Sequence, residues 1–429
     1  MRRRWTGRRY DTGELVHIDT EDGVIVAVVA AAAVVREEGE KGTGVSEEES
    51  ECEGMGIGVS QSQSQSESFC WISPGWIDLQ VNGFAGYDLN GEVTTPEDVF
   101  GVASALFPRG VTNFCPTIIT GSAERIRQTL HVIHAACEQD ELLGEAIPGI
   151  HLEGPYLSAE DGPRGAHDKA HIREPEWAEF AAWQEAAGGR IALCTVAPEK
   201  EGAVRFIRQL RGAGVQVSIG HTMAVAEELG DAVAAGASMS THLGNGAHPV
   251  LPRHPNYIWE QLADDGLTAM FIADGHHLGA AALKAMIRAK QGRFILVSDS
   301  VKFGGMPPGR YESEIGQRVE LLSNGRLQTA ADPRILAGSA QPLICGIENA
   351  MKLASVSLAE AIDAVTKRPA EAMGWQELGR LEPGARANLT LFRLEEEDGG
   401  VNGLGLGRIQ IVQTVVGGRT VWQDGQALW

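Results

Sequence analysis

The sequence predicts an α/β protein: a (β/α)8 TIM barrel with a small β-sandwich module formed from both chain termini. Three observations predict it. Between Trp76 and Ser300, eight short apolar runs alternate with amphipathic stretches of helical period, the pattern of parallel strands joined by helices. Strand-like segments punctuated by glycine turns flank this region on both sides, before Pro74 and after residue 379. The 429 residues exceed a typical single domain but match one barrel with an accessory module.

The eight runs, in order, are "GWIDLQVNG", "VTNFCPTIIT", "AIPGIHLEGP", "RIALCTVAPE", "VQVSIGHT", "ASMSTHL", "LTAMFIADGHH" and "FILVSDS". The intervening "PEDVFGVASALFPRG", "SAERIRQTLHVIHAACEQ", "VRFIRQLRGAG" and "AVAEELGDAVAAG" end on glycine or polar residues where helices should stop. After the eighth run, Asn324-Gly325 marks a hairpin, and a helical stretch near 357–373 is expected to complete the barrel. The barrel is assigned to residues 74–379, and the module to residues 1–73 plus 380–429. Residues 36–69, "REEGEKGTGVSEEESECEGMGIGVSQSQSQSESF", offer almost no large apolar side chain to bury and are expected to form a disordered acidic insertion.

Composition narrows the class of function. Apolar residues at 43% and charged residues at 22% are those of an ordinary globular protein. With 57 acidic against 36 basic residues, the formal charge of -21 argues against nucleic acid or an anionic membrane as partner. The basic start "MRRRWTGRRYDTG" runs into acidic residues before any apolar stretch, unlike a signal peptide, and Val24 to Val35 is too short to cross a bilayer. Six dispersed cysteines without a C-x-x-C pair suggest neither a disulfide framework nor a thiolate metal site, which leads us to expect a reducing cytoplasm.

Chemistry gathers at the carboxyl ends of the predicted strands, where barrel active sites form. Glu153 ends the third, His221 the fifth, His242 the sixth and Asp299 the eighth, while His277 follows the seventh. One histidine at a strand end is commonly a packing residue, but packing gives no reason for titratable groups at the same end of five strands. Two imidazoles and a carboxylate suit a catalytic Zn2+, which acidifies bound water and polarises carbonyls. Fe2+ and Mn2+ accept the same ligands. Asp299 is placed to shuttle a proton from water to a leaving amine. His131 and His134, one helical turn apart on an outer helix, read instead as solvated.

At these residues the sequence resembles the amidohydrolase superfamily and, within it, the N-acetylglucosamine-6-phosphate deacetylase family. The matching pieces are "PGWIDLQVNGFAG", "HLEGPYL", "RGAHD", "APE", "GHT", "THLGNG", "DGHH", "LVSDS" and "LAGSA", with "GARANLTLF" beyond them. The resemblance implies one divalent metal held by Glu153, His221 and His242, and a homodimer in which Arg253 reaches the substrate phosphate of the neighbouring subunit. It implies Asp299 as acid and base, and His167 as donor to the amide carbonyl. Substrate contacts would come from Ala166, His167, Asn245, Gly246, His277, Leu336, Ala337 and Gly338. Most of the superfamily has His-x-His on the first strand; Gln80 and Asn82 stand there, so a second metal is not expected, and these amides could position water. This chain reads "GNGAHP" and "SDS" where relatives usually read "FNAM" and "TDA", which leaves open which N-acetyl amino sugar is the substrate and whether it is phosphorylated. The alternatives are an amidohydrolase for a cyclic amide or small N-acyl compound, and a non-catalytic sugar-binding barrel.

Overall fold

The computed structural model describes residues 1–31, 70–312, 318–395 and 408–429. The insertion expected at 36–69 lies outside the described residues. Eight parallel strands follow one another around the barrel: β1 (Trp76–Val81), β2 (Val111–Ile119), β3 (Ile150–Glu153), β4 (Ile191–Val196), β5 (Gln216–Ile219), β6 (Met239–Ser240), β7 (Thr268–Ile272) and β8 (Phe294–Val297). They fall in the eight predicted runs. Helices α1 (Pro96–Leu106), α2 (Ala123–Gln139), α3 (Trp177–Ala186), α4 (Ala203–Gly212), α5 (Ala226–Ala235), α6 (Tyr257–Ala263), α7 (Ala280–Lys290) and α8 (Leu343–Ala354) follow these strands in turn.

Local sequence sets the helix boundaries. Thr95 and Asp98 form a reciprocal capping box around Pro96 at the start of α1, and Gly236, at φ 114°, ends α5 in a conformation that a side chain resists. One expectation needs correction. The helical region near 357–373 does not complete the outer ring; α8 does, packing beside α7. The short helices Leu358–Asp363 and Lys367–Met373 lie elsewhere: Ala370 and Met373 pack with Ile77, Leu79, Cys115, Leu193, Met239, Met270 and Ile295 to close the floor of the barrel. Periodicity finds such helices but does not tell which layer they cover.

No continuous ladder joins β8 to β1. The seam is held at the top by a single bridge between Val81 and Ser300. Lower down, the Asp78 carboxylate accepts from the Ser298 amide at 3.1 Å. At the base Ala364 and Val365 wedge between the strands, their carbonyls accepting from Leu296 and Ile77.

Both ends of the chain share one sheet, in the order Gln426–Ala427, Arg419–Gln423, Ile409–Val416, Leu389–Leu394, Trp71–Pro74, Arg2–Arg9, Leu15–Glu21 and Val24–Ala30. Trp5, Ile18, Ile25 and Ile72 from one half meet Leu389, Leu391, Val412 and Val415 from the other, so the sheet folds on itself as a sandwich. After β8, strands Gly309–Glu312, Arg318–Leu321 and Leu327–Thr329 form a separate antiparallel sheet with the expected turn at Asn324-Gly325. Among the described residues, no helix is long and apolar enough to cross a membrane.

Candidate active site

Glu153 is the last residue of β3, while His221 and His242 lie two residues past the ends of β5 and β6, so parallel strands of similar height bring them together. Glu153 Oε1 lies 3.2 Å from His221 Nε2 and 3.0 Å from His242 Nε2, and the two imidazole nitrogens are 3.1 Å apart. All three side chains are buried, at 3%, 7% and 3% exposure. Burial opposes the charge on Glu153, yet hydrogen bonds from His221 and His242 outweigh it and hold the carboxyl well below its ordinary range. One donor atom from each residue falls within 4.8 Å of the others. Two imidazole nitrogens and a carboxylate oxygen at this convergence fit one divalent cation. The Pro163 carbonyl lies 2.8 Å from His221 Nδ1 and accepts from it in the tautomer that leaves Nε2 free to face that centre.

Asp299, two residues past β8, sits across the mouth and stays partly open to it. Burial by surrounding protein atoms, followed by the negative charge of Glu153, pushes its carboxyl up to about 7. The amide of Asn82 donates to Asp299 Oδ1 at 2.7 Å. Gln80 donates to Glu153 Oε1 at 2.9 Å. The two amides expected to face water are thus anchored on the two carboxylates, and their carbonyl oxygens, Gln80 Oε1 and Asn82 Oδ1, are buried without a partner. His221, His242 and Asp299 all have left-handed backbones, with φ of 50°, 28° and 48°. Residues other than glycine seldom hold this conformation, and here β5, β6 and β8 each run into it two residues past their ends.

His167 stands beside the cluster, its Nε2 3.2 Å from His221 Nε2 and its Nδ1 2.9 Å from Thr120 Oγ1. Burial, then the neighbouring His221, lowers its pKa to about 3, so the ring is neutral at ordinary pH. Ala166 is exposed on the same loop. Gly246 lies against the His221 ring, where an added Cβ would come within 2.7 Å of Nδ1, and the Asn245 amide donates to the His242 carbonyl at 3.2 Å. His277 Nδ1 is 2.7 Å from Asp274 Oδ2. Leu336, Ala337 and Gly338 run into Ser339, which pairs with Ser300 next to Asp299. Arg253 is brought to none of these groups. It is exposed, and among the described residues its side chain has no hydrogen bond or ion pair.

Sequence reasoning missed Thr120 and the Pro163 carbonyl, which orient two of the histidines; neither carries a motif. It quoted Asp274 within "DGHH" and Glu199 within "APE" but gave them no part. In the structure Asp274 holds His277, and Glu199 grips the residues after His221.

The model of the Amidohydrolase family matches residues 71–421. The chain is 32% identical over 371 residues to the N-acetylglucosamine-6-phosphate deacetylase of Bos taurus, an alignment covering 83% of this chain and 85% of that protein. It is 34% identical to the Bacillus subtilis (strain 168) protein of the same name, over 74% and 79%. Against the N-acetylgalactosamine-6-phosphate deacetylase of Escherichia coli O157:H7 it is 32% identical, over 74% and 82%. Among solved structures, N-acetyl-D-glucosamine-6-phosphate deacetylase from Mycobacterium smegmatis superposes with a TM-score of 0.78 at 24% identity, covering 98% of this chain and all of that one. A match over most of the length, on a barrel whose strand ends converge as described, leaves one conclusion: the chain belongs to the amidohydrolase family.

Proposed function

We propose that this protein hydrolyses the acetamide of N-acetylglucosamine-6-phosphate, yielding acetate and the amino sugar phosphate. The observation that carries the proposal is the convergence of Glu153, His221 and His242 below Asp299. The names of the relatives, at 31–34% identity over most of the chain, support this substrate class.

Glu153, His221 and His242 would hold one divalent ion, Zn2+ before Fe2+ or Mn2+, since two imidazoles and one carboxylate suit it. When bound, the ion supplies Lewis acidity to the amide and the attacking water, and its charge offsets the push of Glu153 on Asp299. The chain's own groups do the rest. Asp299, oriented by Asn82, takes a proton from water as it attacks the acetyl carbon, and returns it to the nitrogen when the C–N bond breaks. His167, neutral and braced by Thr120, donates to the acetyl oxygen as negative charge gathers there. Gln80 and Asn82 keep the two carboxylates apart in role and offer their unpartnered carbonyls to the hydrogens of the attacking water.

We assign Ala166, Asn245, Gly246, His277 and the stretch Leu336 to Gly338 to the sugar and its phosphate. Arg253 completes the phosphate site of a second copy in a homodimer. Its exposed, unpaired side chain between the exposed Val250 and Trp259 supports that arrangement. We take residues 74–379 as the catalytic body and 1–73 with 380–429 as its accessory module. The protein is assigned to the cytoplasm, a reading that the free thiols Cys115, Cys137, Cys194 and Cys345 support.

A second reading, N-acetylgalactosamine-6-phosphate, is favoured by the E. coli relative of that name. Acetate release from phosphorylated and unphosphorylated N-acetylglucosamine and N-acetylgalactosamine, with metal content measured on the same preparation, decides between them. The proposal requires about one metal per chain and preference for a 6-phosphorylated sugar. Metal without acetate release from any of the four would point to a cyclic amide or another N-acyl substrate, and absence of metal to a non-catalytic barrel.

A further inference from the structure

His221 is asked to do two things at once: to hold a left-handed backbone at φ 50° and to aim Nε2 at the centre shared with Glu153 and His242. Histidine adopts the first more readily than most residues but still seldom, so the surroundings must help to impose it. The grips can be named. The Ser158 amide donates to the His221 carbonyl at 2.9 Å. The Pro163 carbonyl accepts from Nδ1, and Gly246 leaves room for the ring by having no Cβ. These hold the ring and the residue's own carbonyl, but not the chain leaving it.

That chain is held by Glu199. Its carboxylate accepts from the Thr222 hydroxyl and, at 2.9 Å, from the Met223 amide; the Thr222 oxygen in turn accepts from the Ala224 amide at 2.9 Å. Glu199 comes from the loop after β4, one strand away, so the grip ties neighbouring loops together. Burial raises the pKa of its carboxyl, and among the described residues it forms no ion pair. A half-buried acid without an ion-pair partner is unfavourable on its own, and here all its hydrogen bonds to other residues go to the two residues that follow a candidate ligand.

We infer that Glu199 is a positioning residue for the metal centre: by clamping Thr222 and Met223 it fixes the left-handed turn at His221 and so keeps Nε2 on the shared centre. The inference rests on the metal reading above but not on the identity of the sugar. Without the clamp, residues 222–224 relax and His221 returns toward extended backbone, which swings its ring off the centre. Partners that orient a ligand typically contribute 10–100-fold in metal affinity.

The test measures Zn2+ affinity by competition with a chromogenic chelator, on the full-length protein stripped of metal and with no sugar present. Glu199→Ala should weaken binding at least about tenfold. Glu199→Gln, which keeps an acceptor oxygen for Met223, should recover most of it, and Thr222→Val should fall between. Thermal melts of the metal-free wild-type and Glu199→Gln proteins should coincide, since Glu199 itself is only half-buried. With saturating metal, the alanine variant should recover kcat more than a general folding defect would allow, with KM little changed. Wild-type affinity in Glu199→Ala overturns the inference. So does equal weakening in Glu199→Gln, which would make charge rather than hydrogen bonding the cause. A melt lowered in step with affinity for Thr222→Val also overturns it, as does a wild-type chain that binds no Zn2+, whereas failure on every sugar with this pattern intact sinks only the deacetylase reading.

Discussion

At the floor of the barrel Ile77, Leu79, Leu193, Met239, Met270 and Ile295 close over Ala370 and Met373 without a charge among them. At the mouth, a few residues further along the same strands, stand three acceptor-rich or titratable ligand candidates, Asp299, left-handed backbones at His221, His242 and Asp299, and buried polar atoms lacking partners at Gln80, Asn82 and His242. Left-handed residues other than glycine each cost roughly 1–3 kcal/mol, and an unpartnered buried polar atom costs a similar amount. The floor therefore supplies stability that the mouth consumes, and the two should respond oppositely to substitution.

The largest expected effect belongs to the mouth. Asp299→Asn keeps the hydrogen-bonding shape but abolishes proton exchange, so kcat should fall by about 10²–10⁴-fold while metal stoichiometry and melting temperature hold. Undiminished acetate release by that variant would remove Asp299 from the mechanism. Leu79→Ala tests the floor: a fully buried leucine lost from a packed layer should lower unfolding free energy by about 2–5 kcal/mol in a denaturant titration. Its kcat, measured well below the melting range, should stay at the wild-type value; a matching loss of activity would mean that the two regions are not separable.

Asp78 lies on the boundary. It is fully buried on β1, accepts from the Ser298 amide through Oδ1, and has no partner for Oδ2. Burial pushes its carboxyl up to about 6 from an ordinary value of 3.8. Between those values the folded chain binds a proton that the unfolded chain has released. Its contribution is thus fully present below about pH 3.8 and is lost as pH rises through 6, a change of about 3 kcal/mol. Asp78→Asn should remove that part of the pH dependence and gain most in stability above pH 6. Identical pH profiles for the two proteins would show that Asp78 is not protonated in the fold. The smallest effect is expected at the rim: Arg253→Ala should raise KM for the 6-phosphorylated sugar about 10–100-fold, or about 1.4–2.7 kcal/mol, and leave an unphosphorylated sugar unchanged.

Much of this contrast could be read from the sequence. Each of β1–β8 lies in an apolar run bounded by turn residues, and because parallel strands all end at one face, the last residues of "HLE", "SIGH" and "STH" had to meet. What could not be read depends on contacts between loops. Gln80 and Asn82 read as amides that could position water; only the fold shows that their N–H groups go to Glu153 and Asp299 while their carbonyl oxygens stay without a partner. Pro163 contributes a carbonyl, and no side-chain pattern announces a carbonyl. The stretch "LICGIENAMKLA" is helical, yet its role as the eighth outer helix was assigned to a later stretch, because amphipathic period reports that a face is covered and not by what.

The sheet shared by the two chain ends has a consequence for how the protein is made. Trp71–Pro74 emerges from the ribosome early and pairs with Arg2–Arg9 on one side, but its other edge waits for Leu389–Leu394, roughly three hundred residues later. At about 5–20 residues per second that wait is on the order of 15–60 s. Throughout it, a nascent apolar edge stays open to other growing chains, so chaperone supply during translation should govern the yield of soluble protein more than the stability of the finished fold does.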